Sequence, residues 1–108
     1  ALVWVDVNIE GMNEPICAVI TEKSSKRLEL TLGREVMLLI KAPWIKFNAQ
    51  PTGLNDFMGK IVTVEQNEVI IEMQQTTFCA TTESDFSAQV GEQIPLHIEP
   101  EQIILAVI

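Results

Sequence analysis

The sequence is poor in the residues that most often do chemistry. It contains two cysteines, Cys17 and Cys79, one histidine, His97, and no tyrosine. Two cysteines cannot build a disulfide scaffold. A single histidine with no clustered cysteine offers no zinc-ligand set. No serine or cysteine has a histidine partner at motif spacing, so no activated nucleophile is expected. The chain is therefore read as a non-enzyme without a metal site or an organic cofactor, and His97 as a structural residue. No apolar run approaches the roughly 20 residues that cross a membrane as a helix. The start, Ala1-Leu2-Val3-Trp4-Val5, carries no positive n-region of a secretory signal. A cytoplasmic protein is expected. The first residues already alternate like a strand, so the chain is read as beginning inside a larger protein.

Basic residues are scarce in one half only. Residues 1–50 hold six (Lys23, Lys26, Arg27, Arg34, Lys41, Lys46) against six acids, so that half is neutral. Residues 51–108 hold nine acids against Lys60 alone, which supplies the whole net charge of −8. An anion site belongs in the first half. The acidic second half repels phosphate backbones, and the absence of tyrosine removes one class of base-stacking platform. An OB-fold module for nucleic acid or another protein is thus the weakest of the binding readings.

What the sequence does contain is a repeat. Shifted by 62 residues, Asp6-Val7-Asn8-Ile9-Glu10 falls on Glu68-Val69-Ile70-Ile71-Glu72, and Ile16-Cys17-Ala18 on Phe78-Cys79-Ala80. With four residues fewer, Gly33-Arg34-Glu35-Val36 falls on Gly91-Glu92-Gln93-Ile94, Lys41 on Glu99, and Ile45 on Ile103. The two cysteines are read as equivalent core residues of two copies rather than as a disulfide. Met58 to Val64 reads as an extra strand in front of the second copy, whose counterpart in the first would precede Ala1.

The local pattern is all β. Strands are expected at Trp4–Glu10, Ile16–Thr21, Val36–Lys41 and Ile45–Phe47 in the first copy. In the second they are expected at Lys60–Val64, Glu68–Met73, Phe78–Thr82, Gln93–Ile98 and Ile103–Ile108. Each copy has one short helix candidate, Ser24–Leu30 and Ser84–Ala88. The expected fold is two tandem OB-like five-stranded barrels, residues 1–50 (first strand missing) and 51–108, joined by a polar linker around Asn48 to Gly53. Barrels this small bury little core, so packing on each other or in a homodimer is expected.

Two segments could hold an anion. Thr21-Glu22-Lys23-Ser24 follows an apolar strand and opens a helical turn. Its free backbone N–H groups and its hydroxyls are potential donors to an oxyanion. The plainer reading is an N-cap with solvated lysines. Leu38-Leu39-Ile40-Lys41-Ala42-Pro43-Trp44 ends an apolar strand in a lysine and a rigid turn, which can aim a charge at a pocket. The plainer reading is a lysine snorkelling from a strand end.

These segments carry a family resemblance. Ala18-Val19-Ile20-Thr21, Ser24, Leu28-Glu29-Leu30, Gly33-Arg34-Glu35-Val36 and Ile40-Lys41-Ala42 resemble the Mop or TOBE domain. With the Ala42-Pro43-Trp44 continuation and the tandem copy, the chain is most similar to the C-terminal half of molybdate-responsive transcription regulators. The resemblance implies binding of molybdate or tungstate at barrel interfaces of a homodimer, with Thr21, Ser24, Lys41 and Ala42 as ligand-binding residues. It implies a sensor module whose contact with DNA lies in a domain outside this chain. A free-standing molybdate-storage protein and the regulatory tail of a molybdate transport ATPase are the alternatives. The family's Ser-Ala-Arg-Asn motif is matched in the second copy by Thr52-Gly53-Leu54-Asn55, with Leu54 at the place of the arginine.

Overall fold

The structure is a computed structural model that describes residues 1–83 and 86–108. Nine strands run β1 (Leu2–Val7), β2 (Ile16–Thr21), β3 (Val36–Leu39), β4 (Ile45–Phe47), β5 (Asp56–Glu65), β6 (Glu68–Met73), β7 (Thr76–Thr81), β8 (Gln93–Ile98) and β9 (Ile104–Val107). One α-helix, α1 (Glu22–Arg27), and two 3-10 turns, Ala42–Trp44 and Pro100–Gln102, complete the regular elements among the described residues. The fold is thus mostly β, in curled sheets of the OB-like type. The second helix candidate includes Ser84 and Asp85, which lie outside the described residues, and Phe86 to Ala88 carry no regular structure.

The strand pairing crosses between the repeats. β1 pairs β2, β3 pairs β9, and the remaining strands form one sheet in the order β4-β8-β5-β6-β7. The five strands of that sheet are not all from one copy, as the sequence reading assumed. β4 comes from the first half of the chain and lies antiparallel on β8 from the second. The exchange is reciprocal. Leu38 faces Leu105 in β3–β9, and Phe47 faces Leu96 in β4–β8. Replacing each residue by its repeat counterpart turns one pair into the other. The 3-10 turns follow the same rule, since the first packs on β7 and the second on β2.

Pairing also corrects the repeat alignment at the first strand. Val5 faces Ala18, and Val69 faces Ala80. Both alanines are fully buried, so they anchor equivalent positions. Val5 is therefore the counterpart of Val69, two residues away from the alignment read in the sequence, and the β1–β2 connection carries two extra residues. The longer loop is tied to the β6–β7 turn by Gln75 N–H donating to Gly11 O at 2.9 Å and by the Thr76 hydroxyl donating to Glu10 O at 2.6 Å.

β5 is the keystone of the larger sheet, paired on one side with β6 and on the other with β8. Gly59 makes that position possible. A Cβ there would collide with Ile71 Cγ2 and lie 2.7 Å from Leu96 Cδ1. Around it the core gathers Ile61, Val69, Ile71, Met73, Leu96 and Ile98, with Ile16 and Ala18 from the first copy. The core is thus shared by both copies, which suits halves too small to bury one each. The counterparts of β6 and β8, namely β1 and β3, each pair on one side only.

The two cysteines, read as equivalent core residues, are in unequal surroundings. Cys17 is buried and Cys79 is exposed, and both are free thiols. The Asn55 side chain is bonded to the backbone of Cys17, accepting from its N–H and donating to its C=O. Burial, with Asp6 beside it, pushes the Cys17 thiol above its ordinary value. Thiolate is the reactive form, so Cys79 is expected to react with a thiol reagent at least tenfold faster than Cys17 under native conditions. Peptide mapping after a timed pulse of iodoacetamide measures this. Equal labelling would contradict the packing of β2.

Candidate functional site

Thr21 ends β2 and is the N-cap of α1. Its extended backbone, φ −75° and ψ 152°, places its hydroxyl oxygen to accept from Ser24 N–H at 3.1 Å. The Thr21 hydroxyl donates in turn to Ser24 Oγ at 2.9 Å. The structure thus brings Thr21 and Ser24 together as a capped turn, with the Ser24 hydroxyl proton left free to donate outward. α1 has only six residues, shorter than the Ser24–Leu30 candidate and shifted toward the strand. Its helix dipole is correspondingly small. What the turn offers an anion is local donors, close to the exposed Lys23, with Glu22 drawn toward Lys26 at 3.3 Å.

The strand read as ending in Lys41 ends at Leu39, and Lys41 and Ala42 open the first 3-10 turn. Lys41 is its N-cap, with φ −69° and ψ 136°. Its counterpart Glu99 is the N-cap of the second turn, with φ −66° and ψ 122°. The backbone of the two copies is therefore alike at this point, and only the sign of the charge differs. Pro43 fixes the turn, and the Lys41 ammonium lies 4.8 Å from the Trp44 ring centroid in a cation–π contact. Lys41 is solvent-exposed, and Ala42 lines a shallow apolar hollow with Ile40 and Cys79.

The two pairs are not brought together within one chain. α1 lies on β1 and β2, whereas the turn that starts at Ala42 packs on β7. The element beside β2 is instead the second 3-10 turn, with Glu99 at its head. Trp4 is 61 % exposed, whereas Trp44 is half-buried. In the second copy the Thr82 N–H and hydroxyl both donate to Asn67 O, at 2.8 and 3.4 Å.

Sequence reasoning missed a heavily bonded polar cluster among the described residues. Asn55, in the left-handed region at φ 55° and 6 % exposed, accepts from Cys17 N–H at 2.8 Å. Its amide donates to Cys17 O at 2.7 Å and to Ile98 O at 3.0 Å. Asp56 accepts from Thr52 N–H at 2.8 Å and Gly53 N–H at 2.7 Å. His97, read as a structural residue, is buried. Its Nδ1 lies 2.9 Å from Asp56 Oδ1 and its Nε2 3.0 Å from Glu99 Oε2. Burial alone would lower the His97 pKa, but the hydrogen bonds and charges of Glu99 and Asp56 prevail and hold it above the ordinary value. Burial would raise Asp56, yet the Gly53 and Thr52 N–H groups and His97 hold it below the usual carboxylate range. The one signal for this cluster was Asn55, which matches the last position of the Ser-Ala-Arg-Asn motif.

This geometry can be set beside known proteins. Residues 1–47 match the family model of the TOBE domain. The transcriptional regulator ModE of Haemophilus influenzae is 42 % identical over 106 residues, which cover 94 % of this chain and 42 % of that protein. The DNA-binding transcriptional dual regulator ModE of Escherichia coli is 29 % identical over 113 residues, again 94 % of this chain and 43 % of the other. The chain thus spans less than half the length of these relatives. Among solved structures, the cytoplasmic molybdate-binding protein ModG with molybdate bound is similar with a TM-score of 0.81 and 26 % identity. The match covers 98 % of this chain and 84 % of that one. The chain carries a TOBE domain in its first half and is homologous over almost its whole length to part of the ModE regulators and to the molybdate-binding protein ModG.

Proposed function

We propose that this chain binds molybdate, or the isosteric tungstate, as the sensor module of a molybdate-responsive transcription regulator. The observation that carries the reading is its likeness, over 98 % of its length, to a protein solved with molybdate bound. The chemistry of the first copy agrees. The turn capped by Thr21 supplies the free Ser24 hydroxyl as a donor, Lys41 supplies a charge, and Ala42 a backbone N–H unobstructed by a large side chain. These pairs lie on different packing partners in one chain, so a complete site draws Thr21 and Ser24 from one protomer and Lys41 and Ala42 from its partner in a homodimer. DNA contact belongs to the part of the regulator outside this chain. The nine-tenths coverage by the ModE relatives favours a regulator, and the high coverage of ModG is what supports a free-standing binder as the second reading.

The test is a comparison of two lysines. Lys41→Ala is expected to weaken molybdate binding by about 1.5–3 kcal/mol, the size of a charge-assisted hydrogen bond. That is roughly tenfold to a hundredfold. Lys60→Ala, on the outer face of β5 and outside the matched segments, is expected to leave the affinity within about twofold. Equal affinities of the two variants in a calorimetric titration would remove Lys41 from the site.

A further inference from the structure

The Asp56–His97–Glu99 cluster lies between the copies. A small hollow of about 210 Å³ is lined by Trp4 and Val19 of the first copy and by His97, Glu99 and Glu101 of the second. Val19 and Thr21 are two apart on β2, so they point to the same face of that strand, about 7 Å apart. The carboxylate of Glu99 is therefore on the face of β2 that ends in the Thr21–Ser24 turn. His97 lies beside β4 and β5. The groups that face it are Lys46 across β4, Asp56 on β5, and Glu99 and Glu101 beyond its own strand. Trp4 and Val19 bring no charge from the first copy.

A neutral imidazole carries one N–H and can donate to only one of two carboxylates. An imidazolium donates to both. The protonated cluster has a net charge of −1, and loss of the proton makes it −2 and leaves one carboxylate without its donor. We propose that His97 is a positioning residue for the oxyanion cradle. When protonated it ties Asp56 to Glu99 and screens Glu99 from the cradle. When neutral it releases the tie and turns that face of β2 against an anion. The inference rests on the oxyanion reading above. It makes affinity, and not only stability, depend on one proton.

The sign follows from the raised pKa of His97. The tie is complete below the ordinary histidine value of 6.5 and is lost as pH rises through the higher value in the folded chain. His97 is the sole histidine, so its ring protons report its titration without ambiguity in a proton NMR spectrum. The experiment combines that titration with molybdate calorimetry from about pH 5.5 to about 8.5. The expected midpoint is above 6.5 in the unmodified chain and lower in both Asp56→Asn and Glu99→Gln. Molybdate affinity is expected to fall about three- to tenfold across the same titration, less steeply at high salt, and to be flat in His97→Gln. A midpoint at or below 6.5 would overturn the tie. Affinity unchanged across a confirmed His97 titration would overturn the coupling. If His97→Gln does not fold, the Glu99→Gln profile serves the same purpose. Failure to bind molybdate at every pH, with the His97 titration as expected, would overturn the oxyanion reading and the coupling built on it.

Discussion

Asn55→Ala is expected to destabilise the fold by about 3–5 kcal/mol. The substitution strands three buried backbone groups, Cys17 N–H, Cys17 O and Ile98 O. A buried polar group without its partner costs about 1–3 kcal/mol, and partial relaxation with entry of water reduces the sum. The backbone adds to the effect, because alanine is disfavoured at φ 55° by about 1–2 kcal/mol. Asn48→Ala separates the two contributions. Asn48 has nearly the same backbone, φ 56°, but is exposed, so its loss should cost only the backbone share. Urea denaturation monitored by tryptophan fluorescence measures both. If the variants lost equal stability, Asn55 would not be a bonded splice between β2 of the first copy and β8 of the second.

That splice marks the limit of what the sequence made legible. Strand positions were readable from alternation, as in Ile16–Thr21, Ile45–Phe47, Glu68–Met73 and Gln93–Ile98, whose observed bounds match those read. The repeat was readable too, and it predicted that Lys41 and Glu99 would occupy the same backbone position. The choice of neighbour was not readable. Alternation tells which face of β3 is buried, but it does not tell whether β3 pairs within its own copy or with β9. The exchange of strands between copies therefore came only from the structure.

The misaligned first strand has a related cause. A slip of one residue turns every side chain to the wrong face, but a slip of two leaves the pattern intact. Apolar matching thus could not distinguish Val5 from Val7 as the partner of Val69. Pairing opposite Ala18 and Ala80 decided it. Cys79 was read as buried by analogy with Cys17. The side chain that bonds the Cys17 backbone is 38 residues away, and no local pattern carries that information. The same holds for His97. Asp56 and His97 are 41 residues apart, and the acidic partners of a buried histidine have no motif spacing.

The candidate cradle was legible in the opposite sense. Its residues were found in the sequence because they match a family, and the structure then defined what each can do. Thr21 was weighed as an N-cap and as a ligand donor, and the geometry shows the N-cap. Its oxygen accepts from Ser24 N–H, and the Ser24 hydroxyl remains available. Lys41 was weighed as a snorkelling lysine and as a charge aimed at a pocket, and its exposed side chain beside Trp44 agrees with the first within this chain.

The proposed site is expected to select molybdate among tetrahedral anions. Molybdate and sulfate carry the same charge, so Coulomb attraction alone cannot separate them. Molybdate is the larger ion. Donors fixed by a strand end, a capped turn and a proline turn resist closing onto a smaller one. A sulfate in that pocket leaves one or two donors unpaired, at about 1–3 kcal/mol each when buried. The expected discrimination is roughly tenfold to several-hundredfold. The direct measurement is a calorimetric competition on the full-length protein, with molybdate titrated in the presence of equal sulfate or phosphate. The molybdate isotherm is expected to be nearly unchanged by either competitor and clearly weakened by tungstate at the same concentration, which competes on equal terms. Displacement of molybdate by sulfate at equal concentration would contradict that selectivity.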